Sequence, residues 1–236
     1  MDRPAEQVLQ WAVETYAPRF AIVTSFQKEG TILIDIAARL GLAPRVVTID
    51  TGRLPAETLQ MIDAVEKRYG LPIDVLKPAE AEVETMITRF GPDLFRDSVA
   101  QRKLCCQVRK VRTLDRFLPA VDAYAVGLRR GQSESRENVE QVDGAKISPL
   151  AAWTAKDVED YIEKHDVPVH PLYAQGYSTI GCAPCSRAVI DGEHLRAGRW
   201  WWEVEGDKEC GLHFSPEGKM ERTLDVLLRD VIGTNA

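Results

Sequence analysis

The chain has 236 residues, 44% of them hydrophobic and 28% charged, and a formal net charge of −6. That length supports one sizeable α/β domain, alone or with a tail. The acidic balance argues against a general nucleic-acid binder. No apolar run reaches the roughly 18 residues of a membrane span. The first residues, Met1-Asp2-Arg3-Pro4-Ala5-Glu6, lack the basic-then-apolar order of a secretory signal. The expectation is a cytoplasmic protein with no membrane or nucleic-acid partner, in a compartment where structural disulfides are rare.

Residues 5–17 read as a helix, with Val8, Trp11, Ala12 and Tyr16 on one stripe. Phe20-Ala21-Ile22-Val23-Thr24 reads as a buried strand, and residues 25–30 as a polar turn. Helical spacing resumes over 31–40 through Ile32, Leu33, Ile36 and Leu40, and Gly41 stops it. Residues 45–49 form a second strand, 50–53 a turn, 55–69 a helix ended by Gly70, and 73–76 a third strand. This βαβαβ order predicts a parallel sheet flanked by helices, with ligands at the C-terminal ends of its strands. The turns at 25–30 and 50–53 then face one crevice. Ala123-Tyr124-Ala125-Val126-Gly127 reads as a further strand, sending residues 128–136 into that crevice. Thr154 caps a helix running to Lys164, with Asp157 at the capping-box position. Pro168, Pro171, Gly176 and Gly181 mark an irregular segment. The division expected is one α/β domain over 1–206 and a mobile C-terminal tail over 207–236.

Positive charge is local. Arg102, Lys103, Arg109, Lys110, Arg112 and Arg116 stand against Asp115 within 101–116, and Arg129, Arg130 and Arg136 form a second group. Such a patch in an acidic chain suits a small anionic ligand, or is simply a solvated helix face.

The five cysteines carry the strongest signal. Cys105 and Cys106 are adjacent, Cys182 and Cys185 form a CxxC pair, and Cys210 stands apart. Two close pairs can supply four thiolates to one metal centre. Adjacent cysteines suit two irons of a [4Fe-4S] cubane better than two corners of a single tetrahedral ion, so the cluster is favoured and zinc is the alternative. A redox-active CxxC leaves Cys105 and Cys106 unexplained. Five unrelated buried cysteines account poorly for this clustering. Near Cys210, Lys208 and His213 favour a thiolate and Glu209 opposes one.

Several segments together resemble assimilatory adenylyl-sulfate (APS) reductases of the iron–sulfur-containing bacterial type, within the PAPS/APS reductase family. Lys103-Leu104-Cys105-Cys106-Gln107-Val108-Arg109-Lys110-Val111 resembles the family's tandem-cysteine motif, and Ile180-Gly181-Cys182-Ala183-Pro184-Cys185 its second pair. Glu209-Cys210-Gly211-Leu212-His213 resembles the tail motif shared with PAPS reductases. Asp50-Thr51-Gly52-Arg53-Leu54 and Gly127-Leu128-Arg129-Arg130-Gly131-Gln132-Ser133 match further segments in the same order.

The resemblance implies an adenine-nucleotide α-hydrolase-like fold and a thiol-dependent reduction of APS to sulfite and AMP. Cys210 would be the nucleophile, passing through a Cys–S–SO₃⁻ intermediate that thioredoxin or a similar dithiol protein resolves. The other four cysteines would hold one [4Fe-4S] cluster. By position, Ser25 and Gln27 would lie in the phosphate or sulfate loop, and Ile49 and Thr51 by the adenosine. Lys110 would sit between cluster and substrate, Arg129 would contact phosphate, and Arg196 and Arg199 the sulfate. The loop Ser25-Phe26-Gln27-Lys28-Glu29-Gly30 departs from the family by lacking an early small glycine and by adding Lys28. PAPS or dual APS/PAPS reduction is therefore the alternative, while the cluster cysteines favour APS. A nucleotide-activating thiolation enzyme lacks support, because 24–30 is not an SGGxDS-type loop. A non-catalytic metal-binding module would make Cys210 dispensable. Both monomer and homo-oligomer remain open.

Overall fold

The computed structural model describes residues 2–133, 136–203 and 218–233. Five parallel strands form the sheet: β1 (Phe20–Val23), β2 (Arg45–Ile49), β3 (Ile73–Leu76), β4 (Ala123–Ala125) and β6 (Lys146–Ile147). A two-residue strand, β5 (Val142–Asp143), pairs antiparallel with β6 across Gly144, whose φ is +57°. The order is β3-β2-β1-β4-β6-β5. Strand order reverses at β1, with β2 on one side and β4 on the other. The loops leaving β1 and β4 therefore diverge and open a crevice.

Residues alternate between the two faces of each strand. Phe20, Ile22 and Val46 join one core with α1 (Ala5–Tyr16), α2 (Lys28–Arg39), α3 (Ala56–Tyr69) and α7 (Ala155–His165). Ala21 and Val47 point the other way, onto Leu114 and Phe117 of α6 (Arg112–Phe117). Each large apolar side chain so buried contributes about 1.5–3 kcal/mol of transfer free energy.

The predicted parallel sheet flanked by helices is present. Gly70 ends α3 with φ +65°. The α7 capping box forms, with Asp157 N–H donating to Thr154 Oγ1 at 3.1 Å and Thr154 N–H to Asp157 Oδ2 at 2.7 Å. The first crossover helix begins at Lys28 rather than 31. Phe26 is fully buried with φ +56°, its N–H held by Thr24 Oγ1 at 2.9 Å, and this sharp turn starts α2 early.

A second core has no counterpart in the predicted elements. Leu94 and Phe95 join Leu104, Val108 and Trp200 there, under α4 (Glu80–Phe90), α5 (Val99–Cys106) and α8 (Gly218–Ile232). Leu227, Leu228 and Val231 of α8 pack into it. This helix falls inside the stretch expected to be a mobile tail. Cys210, with the rest of 204–217, lies outside the described residues. Among the described residues no helix is long and apolar enough to cross a membrane.

Candidate active site

Cys105 and Cys106 end α5, and the chain continues through a single π turn, Gln107–Val111, into α6. An inserted π turn rotates the following residues, a device frequent at functional sites. Here it keeps Arg109 and Lys110 on the side of the cysteines. The second pair lies on a short 3-10 turn, Ala183–Cys185. One small cavity is lined by Cys105, Cys106, Cys182 and Cys185, ringed by Arg53, Arg102, Arg109 and Lys110.

The turn after β2 ties the two pairs together. Arg109 Nη1 donates to the Thr51 carbonyl at 2.7 Å, Thr51 Oγ1 lies 3.2 Å from Cys182 Sγ, and Ala183 N–H donates to the Arg53 carbonyl at 2.8 Å. Thr51, expected beside adenosine, is buried with its hydroxyl on the cysteine site.

The donor set fits a thiolate-bound metal centre. All four cysteines are free thiols. Two buried donors beside them, Arg109 Nε and Trp200 Nε1, find no hydrogen-bond partner among the described residues, which suits an electron-rich occupant. Burial, then Cys106, pushes the Cys105 thiol up to about 12; burial, then Cys182, pushes Cys185 up to about 11. Without metal both keep their protons, which a metal must displace. Among the described residues no three His, Cys, Asp or Glu side chains converge as ligands to a single ion.

A larger cavity, about 680 Å³, opens at the C-terminal ends of β1, β2 and β4, within the range of small-molecule sites. Ser25, Gln27, Ile49, Lys110, Arg129, Arg196 and Arg199 all line it, so the structure gathers every described substrate residue expected from sequence except Thr51. Lys110 lines both cavities. Gln27 bridges the first loop, donating to Ser25 Oγ at 3.2 Å, and accepts from Ile180 N–H at 3.1 Å. The N-terminus of α2 follows, with the backbone donors of an anion site. A Cβ on Gly127 would stand 2.7 Å from Glu29 Cβ and 3.0 Å from Gly30 N, so only glycine lets the β4 loop approach α2 this closely.

The arginines are engaged in different ways. Arg129 is buried, bonds Glu29 Oε1 through Nε at 2.8 Å, and donates to the Trp153 carbonyl at 3.3 Å. Arg199 donates to the Cys185 carbonyl at 3.1 Å, its guanidinium 4.5 Å from the Trp200 ring centre. A Cβ on Gly181 would meet that guanidinium at 2.4 Å. The bridge Ser186↔Arg199 folds 187–198 back and returns Arg199 to the second cysteine pair. Sequence reasoning passed over Arg53 and Arg102 as neighbours of the cysteines, because neither lies in a recognisable ligand spacing.

The chain is similar to several known proteins. The family model for the phosphoadenosine phosphosulfate reductase domain matches residues 19–188. Adenosine 5′-phosphosulfate reductase of Allochromatium vinosum is 46% identical over 196 residues, covering 80% of this chain and 77% of that one. The Burkholderia cepacia protein of the same name is 44% identical, covering 81% and 79%. Among solved structures, phosphoadenylyl-sulfate reductase from Candida auris, in a phosphate complex, superposes with TM-score 0.64 at 26% identity, covering 77% of this chain and 89% of that one. FMN adenylyltransferase from Candida glabrata, at 14% identity and TM-score 0.51 over 90% of this chain and 74% of that one, shares the fold alone. The matched span runs from β1 through both described cysteine pairs, and the chain belongs to the phosphoadenosine phosphosulfate reductase domain family.

Proposed function

We propose that this chain reduces adenosine 5′-phosphosulfate to sulfite and AMP in sulfate assimilation, with thioredoxin or a similar dithiol protein as donor, in a reducing cytoplasm. The observation that carries the reading is Lys110, which lines both the nucleotide-sized cavity and the four-cysteine cavity. A cation there meets the charged end of an anionic substrate beside the sulfur-rich site.

In this reading the backbone donors at the start of α2, with Ser25 and Gln27, receive the phosphate side, and Ile49 lies by the adenosine. Thr51 supports that wall from behind, through its contact with Cys182. Arg129 stiffens the loop through Glu29 and offers phosphate its remaining N–H donors. Lys110, Arg196 and Arg199 hold the sulfate and the charge that develops on departing AMP. The Cys210 thiolate attacks the sulfur, the S–O bond to AMP breaks, and AMP leaves with the electron pair. A donor thiolate then attacks Cys210 Sγ, releasing sulfite, and the donor's second thiol resolves the mixed disulfide. Cys105, Cys106, Cys182 and Cys185 would hold a [4Fe-4S] cluster, with zinc the alternative. When bound, that cluster supplies a fixed charged centre beside Lys110, while the dithiol supplies both electrons.

A PAPS or dual reductase is the second reading, favoured by Lys28 on the cavity wall. Anaerobic turnover with APS and PAPS in parallel, with thioredoxin as donor, decides between them. Sulfite and AMP from APS with the wild type, and none with Cys210→Ser, is the expected result. Sulfite from neither nucleotide contradicts the proposal.

A further inference from the structure

We infer that Gly181 is a positioning residue for Arg199: the side chain it lacks leaves the slot that the Arg199 guanidinium occupies beside the large cavity. The inference rests on the APS reading above, in which Arg199 meets the sulfate.

Arg199 is 7% exposed and lines the large cavity. Its guanidinium makes one hydrogen bond to the described residues, from Nε to the Cys185 carbonyl at 3.1 Å. Among the described residues no carboxylate pairs with it, whereas Arg102, against the same Trp200 ring, is neutralised by Glu203. A buried cation without a carboxylate calls for an anionic ligand. Nη1 and Nη2 keep their donors for one.

Three contacts fix where those donors stand. The Cys185 carbonyl holds Nε, and the Trp200 ring centre lies 4.5 Å from the guanidinium carbon. The third contact is Gly181. A Cβ built there would stand 2.4 Å from Nη2, 2.6 Å from Cζ and 2.7 Å from Nη1. Those near-equal distances set the face of the guanidinium against the glycine. Gly181 N–H donates to Ser186 Oγ at 3.0 Å, and Ser186 bridges Arg199, so glycine and arginine share one short frame. Donors held in place before a ligand arrives bind it with less ordering cost.

The backbone does not demand a glycine here. Gly181 lies outside the left-handed region, unlike Gly176 at φ +83°, so alanine suits its conformation. The three atoms nearest to an added methyl all belong to Arg199, at the end of a side chain that can move. Gly181→Ala therefore drives the guanidinium from its slot and leaves the fold in place.

Calorimetric titration with APS tests this on the full chain isolated under anaerobic conditions, carrying Cys210→Ser so that bound APS is not consumed. Gly181→Ala should weaken APS binding about tenfold and leave the melting temperature unchanged. Arg199→Ala should weaken it at least as much. Adding Gly181→Ala to Arg199→Ala should cost nothing further, because the slot is then empty. An unchanged affinity in Gly181→Ala overturns the inference. So does a loss that persists when Arg199 is absent, since the methyl then acts on the cysteine turn itself. A Gly181→Ala chain that fails to fold overturns it too. Failure of the Cys210→Ser chain to bind APS at all overturns the APS reading, and this inference with it.

Discussion

Lys110 follows Cys106 by four residues, and the π turn between them sets which wall it faces. Its exchange for alanine removes one charge from the cavity wall and leaves the sheet intact. Lys110→Ala is expected to lower kcat/KM by about 10²-fold with little change in melting temperature, measured by steady-state sulfite release and thermal unfolding. Its place in the sequence came from the resemblance of the tandem-cysteine motif that contains it. The place of Thr51 was not legible in sequence, since its hydroxyl turns toward Cys182 and that contact spans 131 residues of chain. Arg129 was legible as a cavity residue, but not as the partner of Glu29, which lies 100 residues away.

His170 makes stability depend on pH. It is buried, accepts from Leu172 N–H at Nδ1, and lies 2.9 Å from Thr58 Oγ1 through Nε2. Burial, opposed in part by Glu57, lowers its pKa from 6.5. The unfolded chain therefore binds a proton at higher pH than the folded one. The stability this gives is present above about pH 6.5 and is lost as pH falls through the lowered folded value. The melting temperature should fall from pH 7 to pH 5, and His170→Gln should flatten that fall.

At the scale of elements, the βαβαβ half was readable because strand alternation and helix stops are local signals. Gly70 ends α3 and Thr154 caps α7 where their chemistry places them. Thr154→Ala removes the acceptor for Asp157 N–H, and should cost about 1 kcal/mol and 2–4 °C in melting temperature. The start of α2 was read late because a buried phenylalanine at φ +56° precedes it, and such strain has no compositional mark. The β5–β6 hairpin escaped because its strands are two residues each and pair only within the sheet.

For the whole molecule, one core packs on the sheet and a second packs at the cysteine site, and only the sheet's core has a periodic trace in the sequence. The second depends on contacts between α4, α5 and α8, distant in the chain. One buried ion pair crosses it. Arg102 Nε bonds Glu203 Oε1 at 2.8 Å and Nη2 bonds Oε2 at 3.1 Å, with side-chain exposures of 1% and 6%. The guanidinium lies 4.3 Å from the Trp200 ring centre. Arg102→Met strands a buried carboxylate and should destabilise the protein by about 3–5 kcal/mol. Pairing it with Glu203→Gln should recover much of that loss, as read by denaturant unfolding.

The proposed reaction joins a nucleotide cavity, a cysteine site and a separate nucleophile. Intact and peptide-level mass spectrometry after incubation with APS and no reductant tests it most directly. The account predicts one added SO₃ group per chain on the peptide holding Cys210, with one AMP released, and loss of the adduct on adding thioredoxin. An unmodified chain after AMP release, or an adduct on Cys105, Cys106, Cys182 or Cys185 instead, would contradict it.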